Sequence, residues 1–223
     1  MLKNIDAIIF DIDGTLIDSM WIWTDIDDLF LEKYHLKQPE NFHKGMEGKS
    51  FSETAQYFLD IFPELPHTRQ ELEDEWHEMA FEVYTKQLEL KKGAYDFIVA
   101  MHRQGKKLGI ATSNARVLAE GALSNNRVLE FFDSVWTSDE ALVGKPSPDV
   151  YLRVAESLGV APERCLVFED VPNGILAGKN AGMKVCAVED PFSKPQEELK
   201  RELADYYIMD YDDIKNNTYE VLG

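Results

Sequence analysis

Two aspartates with one residue between them follow the first apolar stretch of the chain. The stretch covers residues 5–10, and Asp11 and Asp13 come directly after it. Two unit charges about 4 Å apart at a protein surface repel each other by roughly 4 kcal/mol. Because folding gains nothing from such a pair, the spacing indicates a site in which both carboxylates have a chemical function.

Further polar residues occur at the ends of later apolar runs or in the loops after them. In chain order, they are Thr112, Ser113, Asn114, Lys145, Glu169 and Asp170. In a parallel sheet, ligands bind beyond the carboxyl ends of the strands. We therefore expect these side chains to converge with Asp11 and Asp13 on one site.

Three or four carboxylates in one site require a cation. Oxygen ligands without imidazole or thiolate favour a hard ion, Mg²⁺ before Ca²⁺ or Mn²⁺. Mg²⁺ commonly takes few protein carboxylates, which leaves positions for water or phosphate oxygens. Lys145 adds a second positive charge, and the turn at residues 112–114 opens a predicted helix whose first N–H groups can hold phosphate oxygens. The sequence therefore predicts a site for Mg²⁺ and a phosphate group.

The paired aspartates allow two chemical roles. One carboxylate can attack phosphorus and form an aspartyl-phosphate. The second carboxyl group, two residues further on, points in another direction and can act first as a general acid and then as a general base.

Short apolar runs predict the strands that position these residues. The runs are Ile5–Phe10, Leu108–Thr112, Ser134–Thr137, Cys165–Phe168, Lys184–Val188 and the weaker Tyr206–Met209. Helical patterns between the later runs predict right-handed crossovers and a mostly parallel sheet. In the clearest of these helices, Ser147 is expected to cap the start, Pro148 to lie in the first turn and Gly159 to end the helix. The predicted fold class is α/β, with a Rossmann-like parallel sheet as its core.

An all-helical module interrupts this pattern after the first strand. Residues 20–91 contain helical patterns and no convincing strand, and the capping boxes Ser50-x-x-Glu53 and Thr68-x-x-Glu71 precede two of the helices. We therefore predict a helical cap domain at residues 19–91, inserted into an α/β core domain at residues 1–18 and 92–223.

Four fragments resemble the motifs of the haloacid dehalogenase superfamily in their expected order. They are "DIDGTLIDS", "IATSN", "GKPSPDVY" and "FEDVPNGILAGKNAGM". More narrowly, the chain looks like the subfamily with a helical cap after strand one, which contains small phosphatases and β-phosphoglucomutase. The resemblance covers essentially the whole chain.

The resemblance implies roles in catalysis for four residues. Asp11 would be the nucleophile and, through its side chain, a Mg²⁺ ligand. Asp13 would be the general acid/base and would give its backbone carbonyl to the metal. Thr112 would bind the transferring phosphoryl group, and Lys145 would steady Asp11 and the phosphate.

The resemblance also implies the rest of the metal and phosphate site. Asp170 would complete the metal site, and Glu169 would either bind the metal as an extra ligand or face solvent. Ser113 and Asn114 would either bind phosphate or cap a helix. Asp13 argues against dehalogenation, because the dehalogenases of the superfamily lack this second aspartate and need no metal.

The cap decides between a phosphatase and a sugar-phosphate mutase. The mutase pattern has a histidine five residues after the position of Asp18, where this chain has Trp23. It also has a Gly-x-Ser-Arg loop that grips a distal phosphate, where this chain has "GKSF" with Phe51 in place of arginine. Lys49 or Lys86 would replace that arginine only in part, because a lysine is a point charge and not a fork. The expected activity is therefore hydrolysis of a small phosphomonoester such as a sugar phosphate, with the mutase as the alternative.

A non-enzymatic alternative is a phospho-accepting signalling module, because receiver domains also combine an aspartate, Mg²⁺ and a lysine. Receiver domains place the acceptor on a later strand and have no helical cap. The "DIDGT" spacing and the inserted helices count against this alternative.

The charge of the chain limits its partners. The 223 residues carry a formal net charge of −18, which repels nucleic acid and anionic membranes. We expect no signal peptide and no membrane span, and the two cysteines are expected to be reduced core residues. The resulting expectation is a cytoplasmic monomer whose partner is a small phosphorylated substrate.

Overall fold

Seven β-strands form one sheet in the part of the chain that the structure describes. The structure is a computed structural model, and it describes residues 1–46, 49–141 and 143–223, with the side chains of residues 23, 24 and 139 left out. The strands are β1 (Ala7–Phe10), β2 (Lys107–Thr112), β3 (Ser134–Thr137), β4 (Cys165–Glu169), β5 (Lys184–Val188), β6 (Tyr206–Ile208) and β7 (Glu220–Val221). Their order across the sheet is β3-β2-β1-β4-β5-β6-β7. Neighbouring strands are parallel, except for the antiparallel pair β6 and β7.

The six predicted strands are therefore present, each within two residues of its predicted ends. β7 was not predicted, because two residues are too short to show a period. The prediction of an α/β fold built on a mostly parallel sheet is confirmed.

Eleven α-helices accompany these strands among the described residues. They are α1 (Met20–Lys33), α2 (Phe42–Met46), α3 (Phe51–Ile61), α4 (Arg69–Lys86), α5 (Ala94–Arg103), α6 (Arg116–Asn125), α7 (Ser138–Ala141), α8 (Asp149–Leu158), α9 (Pro172–Asn180), α10 (Glu197–Leu203) and α11 (Asp212–Asn216). Short 3₁₀ turns lie at Leu129–Phe131, Pro162–Arg164 and Lys194–Gln196. None of the described helices is long and apolar enough to span a membrane.

Helices α1 to α4 occupy the segment that was predicted as a helical cap. The two ends of this segment lie side by side, because Ile17 forms an antiparallel bridge with Leu90. The N–H of Asp18 donates to the carbonyl of Glu89 at 3.1 Å, and the N–H of Lys91 donates to the carbonyl of Leu16 at 2.9 Å. The chain thus leaves and re-enters the α/β part at one place, next to the end of β1.

Local sequence signals set several helix ends. Both predicted capping boxes, at Ser50 and at Thr68, are formed. Gly159 ends α8 with a φ of 68°, as predicted. The prediction that Ser147 caps α8 is wrong, because Pro148 occupies the cap position and the Ser147 hydroxyl donates instead to the carboxylate of Asp149 at 2.7 Å.

The central strand β1 is fully buried and contributes side chains to two hydrophobic cores. Ile8 and Phe10 face the larger core, and Ala7 and Ile9 face the other, as the two-residue period of a strand requires. The ring of Phe10 stacks on that of Phe168 in β4, with centroids 5.3 Å apart. This packing fixes the ends of β1 and β4 beside each other, at the edge where the predicted site residues begin.

Candidate active site

The polar residues that follow the central strands meet at one edge of the sheet. Phe10 pairs with Ile110 of β2 and with Phe168 of β4, so the residues after them emerge at the same level. The N–H of Asp11 donates to the carbonyl of Phe168 at 3.1 Å, which ties the first aspartate to β4. A cavity of about 750 Å³ opens at this edge. Its lining includes all of the predicted site residues, namely Asp11, Asp13, Lys49, Thr112, Ser113, Asn114, Lys145, Glu169 and Asp170.

Lys145 is the buried centre of this arrangement. Its ammonium donates to the carboxylates of Asp11 and Glu169, at 2.7 and 2.6 Å, and to the carbonyl of Ala111 at 3.2 Å. The hydroxyl of Tyr151 donates to the same Glu169 oxygen at 2.6 Å. Lys145 is therefore held in a fixed place between two carboxylates.

Burial and the neighbouring charges shift the pKa of Lys145 in opposite directions. Burial alone would lower the pKa of its ammonium, but the carboxylates of Asp11 and Glu169 raise that pKa above the ordinary lysine value. The lysine therefore keeps its proton. The pKa of Asp11 is raised to about 7, because burial, with Glu169 and Asp13 adding to it, outweighs the opposing effect of Lys145.

Asp170 has an oxygen that the protein does not satisfy. Its Oδ1 accepts a hydrogen bond from the Thr15 hydroxyl at 3.0 Å. Its Oδ2 is buried and has no hydrogen-bond partner among the described residues. Burial raises the pKa of Asp170 well above the ordinary value, and the charges of Glu169 and Asp11 raise it further.

These carboxylates fit a hard divalent cation. Asp11, Glu169 and Asp170 are all buried, and each places one carboxylate oxygen within 4.8 Å of the others. An unsatisfied buried oxygen next to two further carboxylates is the donor set that Mg²⁺ prefers. The expectation of a metal site is supported by this cluster.

Glu169 already has three hydrogen-bond donors. Besides Lys145 and Tyr151, the N–H of Asp170 donates to its second oxygen at 3.1 Å. Gly174 in α9 makes room for this carboxylate, because a Cβ at that position would lie 1.9 Å from Glu169 Oε1. Glu169 is thus fully buried and not exposed to solvent, which excludes one of the two expectations for it.

Asp13 accepts hydrogen bonds from three separate parts of the chain. The hydroxyls of Ser19 and Tyr84 donate to its Oδ1, at 2.6 and 2.5 Å. The side-chain amide of Asn114 donates to its Oδ2 at 2.9 Å. Tyr84 lies on α4, in the helical segment, and burial together with the charge of Asp13 raises the pKa of this tyrosine well above its ordinary value. The tyrosine hydroxyl therefore keeps the proton that it donates to Asp13.

The turn after β2 has a different geometry from the one expected. The Thr112 hydroxyl accepts from the N–H of Asn114 at 3.0 Å, and the Asn114 side-chain oxygen accepts from the N–H of Ala115 at 2.7 Å. Ala115 is the cap residue of α6, so neither Ser113 nor Asn114 caps that helix. The carbonyl of Ser113 accepts from the N–H of Phe51 at 3.1 Å, which joins the start of α3 to the turn.

The lysines proposed for a distal phosphate differ in position. Lys49 lines the cavity, with its ammonium 5.9 Å from the centre of the Tyr57 ring. Lys86 does not replace the missing arginine, because its side chain is 63% exposed and pairs with Glu82 on the solvent side of α4. The Trp23 side chain and Gly48, on which the comparison with the mutase pattern also depends, lie outside the described residues.

Among the described residues, four hydroxyl groups that donate to the site carboxylates were not predicted, those of Thr15, Ser19, Tyr84 and Tyr151. Thr15 and Ser19 belong to the quoted "DIDGTLIDS" fragment, so a signal for them was present in the sequence. Tyr151 belongs to the quoted "GKPSPDVY" fragment, so a signal for it was present as well. Tyr84 lies on α4, far away in the chain, and only the packing of that helix brings its hydroxyl to Asp13.

The chain belongs to the haloacid dehalogenase-like hydrolase family, whose model matches residues 8–188. It is therefore a hydrolase, and both the expected superfamily and the expectation of an enzyme are confirmed. Membership of this family decides against the signalling module.

Curated relatives of similar length support the same class. A protein from Drosophila melanogaster named probable pseudouridine-5′-phosphatase is 30% identical over 197 residues, which cover 86% of this chain and 84% of the relative. A phosphorylated carbohydrates phosphatase from Thermotoga maritima is 28% identical, over 80% of this chain and 82% of the relative.

Solved structures share the fold. The structure of CbbY from Rhodobacter sphaeroides aligns with a TM-score of 0.82 and 22% identity, over 94% of this chain and 96% of that protein. β-Phosphoglucomutase from Clostridium difficile aligns with a TM-score of 0.80 and 21% identity, over 96% and 95%. At these identities the likeness shows the fold alone.

Among the described residues, the helical wall of the cavity contains one further carboxylate, Asp27 on α1. Its side chain is 11% exposed, and the nearest basic group in the described part of the chain is the Nδ1 of His43 at 3.5 Å. Burial raises the pKa of Asp27 to about 7, and the neighbouring Asp28 adds to the shift. A buried carboxylate without a close partner destabilises the fold when it ionises.

This burial predicts a pH-dependent effect of Asp27 on stability. Between about pH 4 and pH 7 the folded protein keeps a proton on Asp27 that the unfolded chain has lost, so stability falls as the pH rises through this range. Asp27→Asn removes this effect. Relative to the wild type, the variant should gain on the order of 3 kcal/mol in unfolding free energy at pH 8 compared with pH 4.

Urea denaturation at both pH values measures the difference, and the exposed Asp25→Asn on the same helix is the control. An equal change at both pH values would show that Asp27 is paired in the folded protein.

Proposed function

We propose that this enzyme is a Mg²⁺-dependent phosphatase that hydrolyses a small phosphomonoester through an aspartyl-phosphate on Asp11. The observation that carries the proposal is the meeting of Asp11, Lys145 and the under-satisfied Asp170 at one cavity. The curated relatives add support, because those quoted above act on phosphorylated metabolites according to their names.

The metal would be held by Asp11 and Asp170, together with the backbone carbonyl of Asp13. Bound there, Mg²⁺ would neutralise charge on the phosphoryl oxygens and orient the group. Glu169 would act mainly on Lys145, because its oxygens already accept three hydrogen bonds. Thr112, Ser113 and Lys145 would hold the phosphoryl oxygens, and Lys49 would contact the organic part of the substrate.

The protein's own residues would carry the two chemical steps. In the first, an Asp11 oxygen forms a bond to phosphorus, the bond from phosphorus to the leaving oxygen breaks, and Asp13 gives its proton to that oxygen. In the second, Asp13 takes a proton from water, the water oxygen bonds to phosphorus, and the bond to Asp11 breaks. Phosphate and the alcohol leave, and Asp13 again carries its proton.

The contacts of Asp13 suit this exchange of a proton. The hydroxyls of Ser19 and Tyr84 can accept hydrogen bonds as well as donate them, so they tolerate both the ionised and the protonated carboxyl group. The helical segment would form a cap over the cavity, as its position after β1 and the contacts of Tyr84 and Phe51 with the sheet side suggest.

Release of inorganic phosphate tests the proposed function. With Mg²⁺ present, the wild type should release phosphate from p-nitrophenyl phosphate and from sugar phosphates, and Asp11→Asn should retain the fold but lose the activity by at least about a thousandfold, because the nucleophile is gone. Circular dichroism checks the fold of the variant. Substantial activity in Asp11→Asn would refute the nucleophile.

The alternative is a sugar-phosphate mutase, which the fold shared with β-phosphoglucomutase leaves open. Incubation with β-glucose 1-phosphate and a bisphosphate primer separates the two activities. Formation of glucose 6-phosphate would identify a mutase, and release of inorganic phosphate would identify a phosphatase.

Because Tyr84 donates a hydrogen bond to Asp13, we predict that Tyr84→Phe lowers the activity on some substrates more than on others. Loss of this donor should misplace the general acid and lower kcat/KM for an alkyl phosphate by about tenfold. The loss for p-nitrophenyl phosphate should be smaller, because nitrophenolate leaves without a proton. The control is Tyr34→Phe, which removes a hydroxyl of the same helical segment that donates to Glu75 at 2.8 Å. Equal losses on both substrates would show that Tyr84 acts on stability and not on Asp13.

A further inference from the structure

Helix α1 gives an estimate of distance along the cavity wall, because it begins beside the predicted site for the phosphoryl group. Its first residue, Met20, lies beside Asp170, because a Cβ on Gly14 would meet Asp170 Oδ2 at 2.4 Å and Met20 Cγ at 2.9 Å. Asp27 follows seven residues later, which is two helical turns, or about 10 Å, along the same face. Both residues line the cavity. Asp27 therefore lines the cavity about two helical turns away from the residue that lies beside Asp170.

Asp27 has the properties of a group that awaits a hydrogen-bond donor. The whole residue is only 8% exposed, although it lines a cavity. Within residues 1–46, 49–141 and 143–223, His43 is the only basic side chain within ion-pair distance, and its 3.5 Å separation is longer than an ordinary N–H···O hydrogen bond. A buried carboxylate of this kind gains much more from a donor than an exposed one does.

The same wall contains a buried N–H group and an apolar surface. The indole N–H of Trp76 is buried and has no hydrogen-bond partner among the described residues, and Trp76 also lines the cavity. Ile26, Met46 and Phe51 supply apolar surface around these two polar groups. A ligand that fits this wall has an apolar body and a hydrogen-bond donor for Asp27.

We propose that Asp27 forms a recognition site for the end of the substrate that is remote from phosphorus. This site would select phosphomonoesters whose leaving group extends about 10 Å, the length of two helical turns, and ends in a hydroxyl or N–H donor. This inference rests on the proposed phosphatase function. Nucleoside 5′-monophosphates suit the wall well, because a heterocycle has apolar faces and carries donors and acceptors on its edge. Hexose phosphates offer the same donor chemistry through a hydroxyl, whereas phosphates of two-carbon acids are too short to reach Asp27.

The test compares substrates of different length on Asp27→Ala. The substrates are uridine 5′-monophosphate, glucose 6-phosphate and 2-phosphoglycolate, each with Mg²⁺, and the readout is kcat/KM from phosphate release. The variant should lose about tenfold to a hundredfold on a long substrate, as expected for a hydrogen bond to a charged group, and stay within about twofold of the wild type on 2-phosphoglycolate. The control is Asp25→Ala, which changes an exposed carboxylate of the same helix.

The pattern of losses identifies the donor and tests the inference. A loss on uridine 5′-monophosphate alone assigns the donor to the nucleoside, and a loss that includes glucose 6-phosphate assigns it to a sugar hydroxyl. Equal effects on long and short substrates, or no effect on the long ones, would overturn the role of Asp27. So would a wild type that hydrolyses only p-nitrophenyl phosphate and 2-phosphoglycolate, although the phosphatase proposal would then stand. A wild type that releases phosphate from none of these esters would refute the proposed function itself.

Discussion

The excess of buried negative charge at the edge of the sheet is the constraint on which the rest of this site depends. Lys145 is shared by two carboxylates, Asp11 and Glu169, and Asp170 adds a third with one oxygen unsatisfied among the described residues. Buried charges that are not compensated cost several kcal/mol each. The raised pKa values of Asp11 and Asp170 express this cost. The oxygen atoms of this cluster line the cavity and fit a hard divalent cation, which is the basis of the proposed Mg²⁺ site.

The fold brings this charge together through its strand order and not through nearness in sequence. β1 lies between β2 and β4, so residues about 100 and 160 positions apart in the chain meet at the end of β1. The helical segment enters and leaves beside that same point, and it returns Tyr84 to Asp13 and Phe51 to the turn after β2. The sheet thus supplies the charged cluster, and the helices supply the contacts that position Asp13 and form the far wall of the cavity.

The parts of the site that the sequence predicted are those encoded within a few neighbouring residues. The strand ends, the "DIDGT" spacing and the two capping boxes are local patterns, and the structure contains all of them. What was missed depends on contacts between distant elements. No local pattern reveals that the Tyr84 hydroxyl reaches Asp13, or that Asp27 is buried on the cavity wall. Ser147 failed as a cap because the proline after it competes for the same position, a choice that propensity alone does not decide.

The most direct test of the charged cluster is calorimetric titration of the metal-free protein with Mg²⁺. If Asp11 and Asp170 form the metal site, the wild type binds one Mg²⁺ per chain, and Asp170→Asn weakens the affinity by at least about tenfold, because a ligand and its charge are lost. Asp25→Asn, which changes an exposed carboxylate, leaves the affinity unchanged. Unaltered binding in Asp170→Asn, or a wild type that binds no Mg²⁺, would contradict the central claim that these buried carboxylates exist to hold a cation beside the phosphoryl group.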